Sequence, residues 1–314
     1  MAASDQLLDA LNARFPGEVI GVETRPDLHL LHAANSICSQ KVRAVLAERG
    51  ISHVSHRLSI FDGDTYDPAY VRLRMIGCRA ADLRLSDRHL GTTSVTAAGC
   101  DACVVPTLVD MATGVVTVDS LNICVTLDAR ASQGAVLIPD GLRTAIMAEL
   151  AIIDDLPNYQ NLAIKVVPST APRNAFAASK VARCNALLAR HGADPVLRAA
   201  YEAKRDKEQS AADRLFDDAA LAAARQAIAD ALTGLESRLG QSTGRFLFGD
   251  RVTMADLFWG CELLRVDEVG DASLWQAGRL PRVAAYHARL AELPSLRSAI
   301  IDFPGARMKA VSSH

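Results

Sequence analysis

The chain has 314 residues, half of them hydrophobic, with 34 basic against 36 acidic side chains and a formal net charge of −2. That is enough for two ordinary domains and a sizeable core, and the near-neutral balance gives no electrostatic reason to expect nucleic acid or an anionic membrane as partner. No apolar run is long enough to cross a bilayer, the start carries Asp5 and Asp9 and no basic cluster, unlike a secretory signal, and seven cysteines, an odd number, argue against a disulfide framework and for a reducing cytoplasm.

Ser4 to Arg14 has helical spacing at Leu7, Leu8 and Leu11 and reads as a short extra helix. Glu18 to Glu23 alternates weakly, as an extra strand or a loop. Leu28 to Ala33 is the first expected strand. Cys38 to Arg49 is the first expected helix, with Cys38, Val42, Val45 and Leu46 on one face and Gly50 placed to end it. His53 to Ile60 alternates as a second strand, and Tyr66 to Arg74 fits a short helix. Gly77 to Cys103 is irregular, and a connection that long inside a domain is either functional or mobile. Val104–Val109 and Gly114–Val118 form a hairpin. Pro106 at its start is tolerated at an edge or as a cis turn that exposes backbone to a ligand. Ser120 to Asp128 closes this half as a helix with Ser120 as its N-cap.

From about Leu142 the pattern is helical almost throughout. The expected helices are Leu142–Lys165 (interrupted near Pro157), Ala178–His191, Asp194–Arg214, Ala219–Leu239, Thr253–Val266, Pro281–Leu293 and Ser295–Ile301. Thr253-Met254-Ala255-Asp256 has capping-box spacing, flanked by Val252 and Leu257 at staple positions, so Asp256 reads as structural.

The chemistry concentrates at Ala34–Arg43, where a strand turns into a helix carrying Ser36, Cys38 and Ser39. A helix N-terminus favours a thiolate over a thiol. A free thiol of pKa ~8.5 is only about 3% ionised at pH 7, and lowering it by about two units takes roughly 2.7 kcal/mol. One charge-assisted hydrogen bond plus a helix N-terminus supplies that. Ser36 is the candidate donor to a sulfur, or else only a helix cap. Cys38 is either a second nucleophile or a small hydrophobe on the buried stripe. Cys100-x-x-Cys103, with Cys78 and His89 nearby, is half a zinc knuckle, a redox pair or an incidental pair; the outer spacings match no common zinc module, so no metal is expected.

Four features occur in the order of a glutathione transferase, and the chain resembles that superfamily. They are the Ser36-Ile37-Cys38-Ser39 turn, Val105-Pro106, Asp119-Ser120-Leu121-Asn122-Ile123 and the capping box at Thr253–Asp256. Within it, the Ser-x-Cys-Ser turn, Val104–Val109 and the long helical stretch between Pro157 and Gly240 are similar to the zeta class and to bacterial tetrachlorohydroquinone reductive dehalogenases. The departures are about two dozen extra residues at 77–103 and Asp119 in place of the more frequent Glu. The resemblance implies an α/β plus all-α architecture: an N-terminal extension (1–26), a thioredoxin-like domain with a mixed four-stranded sheet (27–132) and a helical bundle (140–314). It implies glutathione as co-substrate, with Ser36 on its sulfur, Val105 at the cis-Pro106 pairing with its backbone, and Asp119 and Ser120 holding its γ-glutamyl end. Cys38 would attack a glutathionyl-aromatic adduct and be freed by a second glutathione. Tyr159, Lys165 and Arg173 are candidates to face the electrophile, where a cation suits a phenolate. The expected activity is conjugation or thiolytic dehalogenation of a small aromatic electrophile by a cytoplasmic homodimer. The alternatives are a maleylacetoacetate-type isomerase and a non-catalytic glutathione-binding module.

Overall fold

The computed structural model describes residues 3–130, 134–167 and 170–307. The last residues of the expected helical half, 308–314, lie outside them. The first half runs α1 (Ala3–Arg14), β1 (Gly17–Ile20), β2 (Leu28–His32), α2 (Ile37–Glu48), β3 (His53–Arg57), α3 (Pro68–Ala80), α4 (Val95–Ala98), β4 (Thr107–Asp110), β5 (Val115–Val118) and α5 (Ser120–Arg130). The strands form one mixed sheet in the order β1-β3-β2-β4-β5. Its β2–β3 pair is parallel and the others are antiparallel. This is the thioredoxin-like sheet with five strands rather than four. The added strand is β1, whose four residues are all exposed. A strand without a buried face carries no apolar alternation, which is why the sequence left it ambiguous.

The pleat sends alternate residues to opposite faces. Leu28 and Leu30 pack with Val42 and Val45 of α2 and Ile123 of α5. Leu31 and Val109 pack on the other face with Leu8 and Leu11 of α1 and Tyr70 and Leu73 of α3. Gly77 lets α3 sit close to β5, since a Cβ there would lie 2.7 Å from a Val118 methyl.

The second half is helical: α6 (Arg143–Asp154), α7 (Asn158–Val166), α8 (Ala175–His191), α9 (Pro195–Arg214), α10 (Asp218–Gln241), α11 (Met254–Glu268), α12 (Pro281–Ala291) and α13 (Pro294–Leu296), followed by a π-helical turn at Arg297–Ile301. The stretch expected at Leu142–Lys165 is two helices, because the residue before Pro157 is steered away from helical dihedrals. Helix α11 is central, buried at every position from Met254 to Val266. Its capping box is formed: the Thr253 amide and hydroxyl donate to Asp256 Oδ2 at 2.7 and 2.6 Å. Asp256 Oδ1 also accepts from the Leu247 amide at 2.9 Å and from the Tyr286 hydroxyl.

Helix α2 joins the two halves. Arg43 donates to the Ala299 carbonyl at 3.0 Å, and Gln40 donates to the Ala306 carbonyl at 3.1 Å. Lys41 pairs with Asp154 at 2.5 Å. Arg265 returns a bond to the Asn35 carbonyl at 2.6 Å. The turn that starts α2 is thereby held from both sides.

The segment from Gly77 to Cys103 corrects two expectations. Its first four residues finish α3, and the rest is fixed by α4, a Leu85–Cys100 bridge and a Cys78–Cys100 disulfide. Cys100 is therefore partnered by Cys78, not by Cys103, which is free and buried. His89 stands apart, its ring against that of Tyr159 at 3.9 Å between centroids. The four residues weighed as a zinc set do not converge.

Candidate active site

A cavity of about 190 Å³ lies between the start of α2 and the second half. Ser36, Cys38, Val105, Pro106, Asp119 and Ser120 all line it, so the six residues predicted from sequence meet at one place. Three separate chain segments bring them there: the β2–α2 turn with the start of α2, the approach to β4, and the β5–α5 turn with the start of α5.

Ser36 has extended dihedrals and caps α2, its oxygen accepting from the Ser39 amide at 3.4 Å. A hydroxyl that accepts with one lone pair keeps its proton to donate, so capping and donation to a sulfur in the cavity are compatible. Cys38, in the first turn of α2, is half-buried and packs partly against the core, yet it also faces the cavity. Burial pushes its thiol up; the Lys41 ammonium and a hydrogen bond from Ser120 pull it back in part. Burial also opposes the charge on Lys41, but Asp154 overrides this and holds the ammonium above the ordinary lysine range. Lys41 is a buried charge beside Cys38 that the sequence reading did not weigh. Its signal was the i, i+3 spacing from Cys38, which places both on one helix face.

The Val105–Pro106 bond is cis. Val105 precedes β4 and lies outside its ladder, so its amide and carbonyl are placed to pair with an added strand. Arg74 of α3 clamps this turn from behind. It donates to the Asp101 carbonyl at 2.6 Å, the Pro106 carbonyl at 2.5 Å and Thr107 Oγ1 at 3.0 Å. Sequence gave Arg74 only as the end of a short helix.

Asp119 sits at φ 72°, a left-handed conformation uncommon outside glycine. Its carboxylate accepts from the Asn122 amide at 3.2 Å, so Asp119, not Ser120, caps α5. Ser120 is the first helical residue and is buried. Burial first, and then the Asp154 carboxylate, push Asp119 up to about 6. A buried carboxyl held that high lacks a cation, and the α-ammonium of a γ-glutamyl group beside Ser120 and the α5 N-terminus fits the need.

The far end of the cavity holds charges that the sequence reading passed over. Asp101 accepts from Lys204 at 2.8 Å and Lys207 at 3.1 Å. Glu208 pairs with Lys204 at 2.7 Å and Lys180 at 3.3 Å, and accepts from the Tyr159 hydroxyl. Burial first, with Lys204 adding to it, lowers Lys180 to about 8 despite Glu208. Burial, and then the Lys207 ammonium, hold His89 well below the usual histidine range and therefore neutral. Of the three residues expected to face the electrophile, Tyr159 lines the cavity. Arg173 does not: it is exposed and paired with Asp218. The Lys165 side chain lies outside the described residues.

Comparison with known proteins gives the same picture. Residues 35–130 match the family model for the N-terminal domain of glutathione S-transferase, and residues 218–289 match that for its C-terminal domain. The chain is 36% identical over 290 residues to the 2,5-dichlorohydroquinone reductive dechlorinase of Sphingobium indicum, covering 89% of this chain and 84% of that protein. Among solved structures, the fold is similar to the beta-etherase LigF from Sphingobium sp. strain SYK-6, with a TM-score of 0.56, 15% identity and coverage of 87% of this chain and 98% of that one. It is also similar to a zeta-class maleyl pyruvate isomerase, with a TM-score of 0.52, 17% identity and coverage of 90% and 99%. With the cis-proline turn, the acidic-Ser cap and the Ser-x-Cys helix start gathered around one cavity, the chain belongs to the glutathione S-transferase family, and it is a glutathione-dependent enzyme of that family.

Proposed function

We propose that the enzyme removes chloride from a small chlorinated phenol or hydroquinone at the expense of two glutathione molecules. The observation that carries this is the position of Cys38: a second thiol faces the same cavity as Ser36 and the Val105–Asp119 elements. Simple conjugation needs no second thiol, whereas reductive removal of a halogen does. The activity named for the 36% identical relative supports the same class.

Ser36 donates to the glutathione sulfur and stabilises it as thiolate. A carbon–sulfur bond to the ring forms, and the carbon–chlorine bond breaks with its electron pair leaving on chloride. Cys38, as thiolate, then attacks the sulfur of the aryl adduct. A sulfur–sulfur bond forms, the aryl carbon–sulfur bond breaks, and its electron pair goes to the ring carbon, which takes up a proton. A second glutathione thiolate attacks the mixed disulfide and frees Cys38. Two thiols are oxidised to one disulfide while the ring gains two electrons and loses chloride. Lys41 supports the Cys38 thiolate, and Asp119 with Ser120 fixes the far end of the tripeptide.

The test is a turnover screen on chlorinated hydroquinones, chloronitroaromatics and maleylacetoacetate analogues, with mass detection of products, for wild type, Ser36→Ala and Cys38→Ser. Dehalogenated product from wild type and a trapped glutathionyl adduct from Cys38→Ser support the reading. Conjugates released equally by wild type and Cys38→Ser, or isomerised product alone, refute it in favour of transfer or isomerisation. We further propose a cytoplasmic homodimer, with the halves of the chain meeting between residues 132 and 140. Light scattering and limited proteolysis test the dimer and the boundary, and fractionation of the source cells tests the compartment.

A further inference from the structure

The far wall of the cavity is a buried ion cluster with an unequal count. Lys180, Lys204 and Lys207 bring three ammonium groups, while Asp101 and Glu208 bring two carboxylates. The side chains of Glu208, Lys204 and Asp101 are 1%, 3% and 5% exposed and those of Lys207 and Lys180 10% and 16%, so water balances the difference only in part. Buried charges without a partner are costly, and this cluster is one anion short. Lys180 is the cation least provided for. Among the described residues its one carboxylate partner is Glu208, at 3.3 Å, which it shares with Lys204 at the shorter distance of 2.7 Å; its other hydrogen bond goes to the neutral Tyr159 hydroxyl at 3.5 Å.

A second observation, independent of the charges, points the same way. Tyr66 is 4% exposed and lines the cavity, and its hydroxyl has no hydrogen-bond partner among the described residues. A buried hydroxyl without a partner is expensive, and a phenol O–H is a good donor to an anion. Aromatic rings surround the Lys180 side of the cluster. Tyr159 and Phe176 present their rings to the Lys180 ammonium at 4.7 and 4.0 Å, and His89 lies against Tyr159 at 3.9 Å between centroids.

We propose that this end of the cavity binds the phenolate oxygen of the aromatic electrophile, with Lys180 as its counter-ion and the Tyr66 hydroxyl as its neutral donor. The proposal rests on the aromatic-dehalogenation reading for the identity of the electrophile. The ringed walls favour an aryl oxyanion over the aliphatic glycine carboxylate of glutathione, which has no surface to stack. Phenolate bound there gives the cluster three positive and three negative groups. The ring is then held with its oxygen at the lysines and its other edge toward Ser36 and Cys38.

Binding can be read without turnover. 4-Nitrophenol is titrated by its visible phenolate band into wild type, Tyr66→Phe and Lys180→Met, with and without saturating glutathione, alongside nitrobenzene as a ring without the hydroxyl. Wild type should bind the phenolate in preference to nitrobenzene. Tyr66→Phe should weaken phenolate binding roughly tenfold or more and leave nitrobenzene and glutathione binding unchanged. Lys180→Met should abolish the preference for the ionised form. Tyr66→Phe keeps the ring and every charge, so it reports even where Lys180→Met fails to fold. Unchanged phenolate affinity in Tyr66→Phe overturns the proposal. So does a loss of glutathione affinity with phenolate binding intact, which would give the site to the glycine carboxylate. If nitrophenolate binds as expected and no chlorinated phenol turns over, the subsite stands and the dehalogenation reading fails.

Discussion

Replacing Asp119 with Asn separates what this side chain does for binding from what it costs the fold. Its carboxyl ionises at about 6 in the folded protein instead of the ordinary 3.8, because it is buried and faces Asp154. A carboxyl raised on folding makes its charged form a burden to the native state. The burden is absent below the unfolded value, grows as pH rises between the two values, and is complete above about pH 6. The gap amounts to roughly 3 kcal/mol at ~1.4 kcal/mol per pH unit. Asn carries no charge, tolerates the left-handed conformation at φ 72° and keeps an oxygen to accept from the Asn122 amide. Asp119→Asn should therefore raise the unfolding free energy of the ligand-free enzyme by up to roughly 3 kcal/mol near pH 8, by about half that near pH 5, and hardly at all near pH 3. Urea unfolding followed by the fluorescence of Trp259 and Trp275 measures it. The same substitution removes the partner of the ligand ammonium, so glutathione affinity should fall roughly tenfold to a hundredfold. A gain independent of pH would refute the account of the charge. A stabilised variant that still binds glutathione like wild type would refute the assignment of Asp119 to the ammonium.

Ser36→Ala should cost about 1 kcal/mol of stability as a lost N-cap. It should also raise the pKa of the bound glutathione thiol, read from thiolate absorbance; a cap with no further role would change only the stability. Cys38→Ser should accumulate the glutathionyl adduct. In wild type the adduct-resolving step should speed up as pH rises through and above neutrality, because burial holds the Cys38 thiol up, and stopped-flow release of the reduced product measures that slope. Asp256→Ala, which removes the acceptor of four hydrogen bonds in the buried start of α11, should destabilise by roughly 3 kcal/mol or more, while activity per folded molecule stays near wild type below the shifted melting temperature.

The glutathione side of the cavity was legible because its parts are local. A cap, a strand–turn–helix and an X-Pro at a strand start are each written in a few consecutive residues. The ion cluster around Lys204 was not, although a trace of it is present. Along α9 the buried positions are Leu197, Ala200, Tyr201, Lys204, Lys207, Glu208 and Ala211, an i, i+3, i+4 stripe that continues through three charged residues. A reading that scores only apolar residues loses the stripe at Lys204 and takes the helix for a solvated one. What puts these charges inside is Asp101, more than a hundred residues away in sequence, in the stretch that showed no period. The Cys78–Cys100 pairing was hidden for the same reason, since bridges in irregular segments follow from three-dimensional proximity alone.

Two segments depend on each other. One is the 77–103 segment; the other is the α8–α9 hairpin, which precedes the residues 218–289 that match the C-terminal family model. Asp101 of the first neutralises Lys204 and Lys207 of the second. The His89 amide donates to Ser210 at 2.8 Å, and the Tyr201 hydroxyl donates to the Tyr66 carbonyl at 2.8 Å. Arg72 at the outer edge of α3 pairs with Asp194, which caps α9. Removing either segment would strand buried charges in the other, at a cost of several kcal/mol for each unpaired ion. His89 and Asp101 of the first segment and Lys180, Lys204 and Glu208 of the second line the same cavity as Ser36 and Cys38, so the cavity wall they share stands or falls with that pairing.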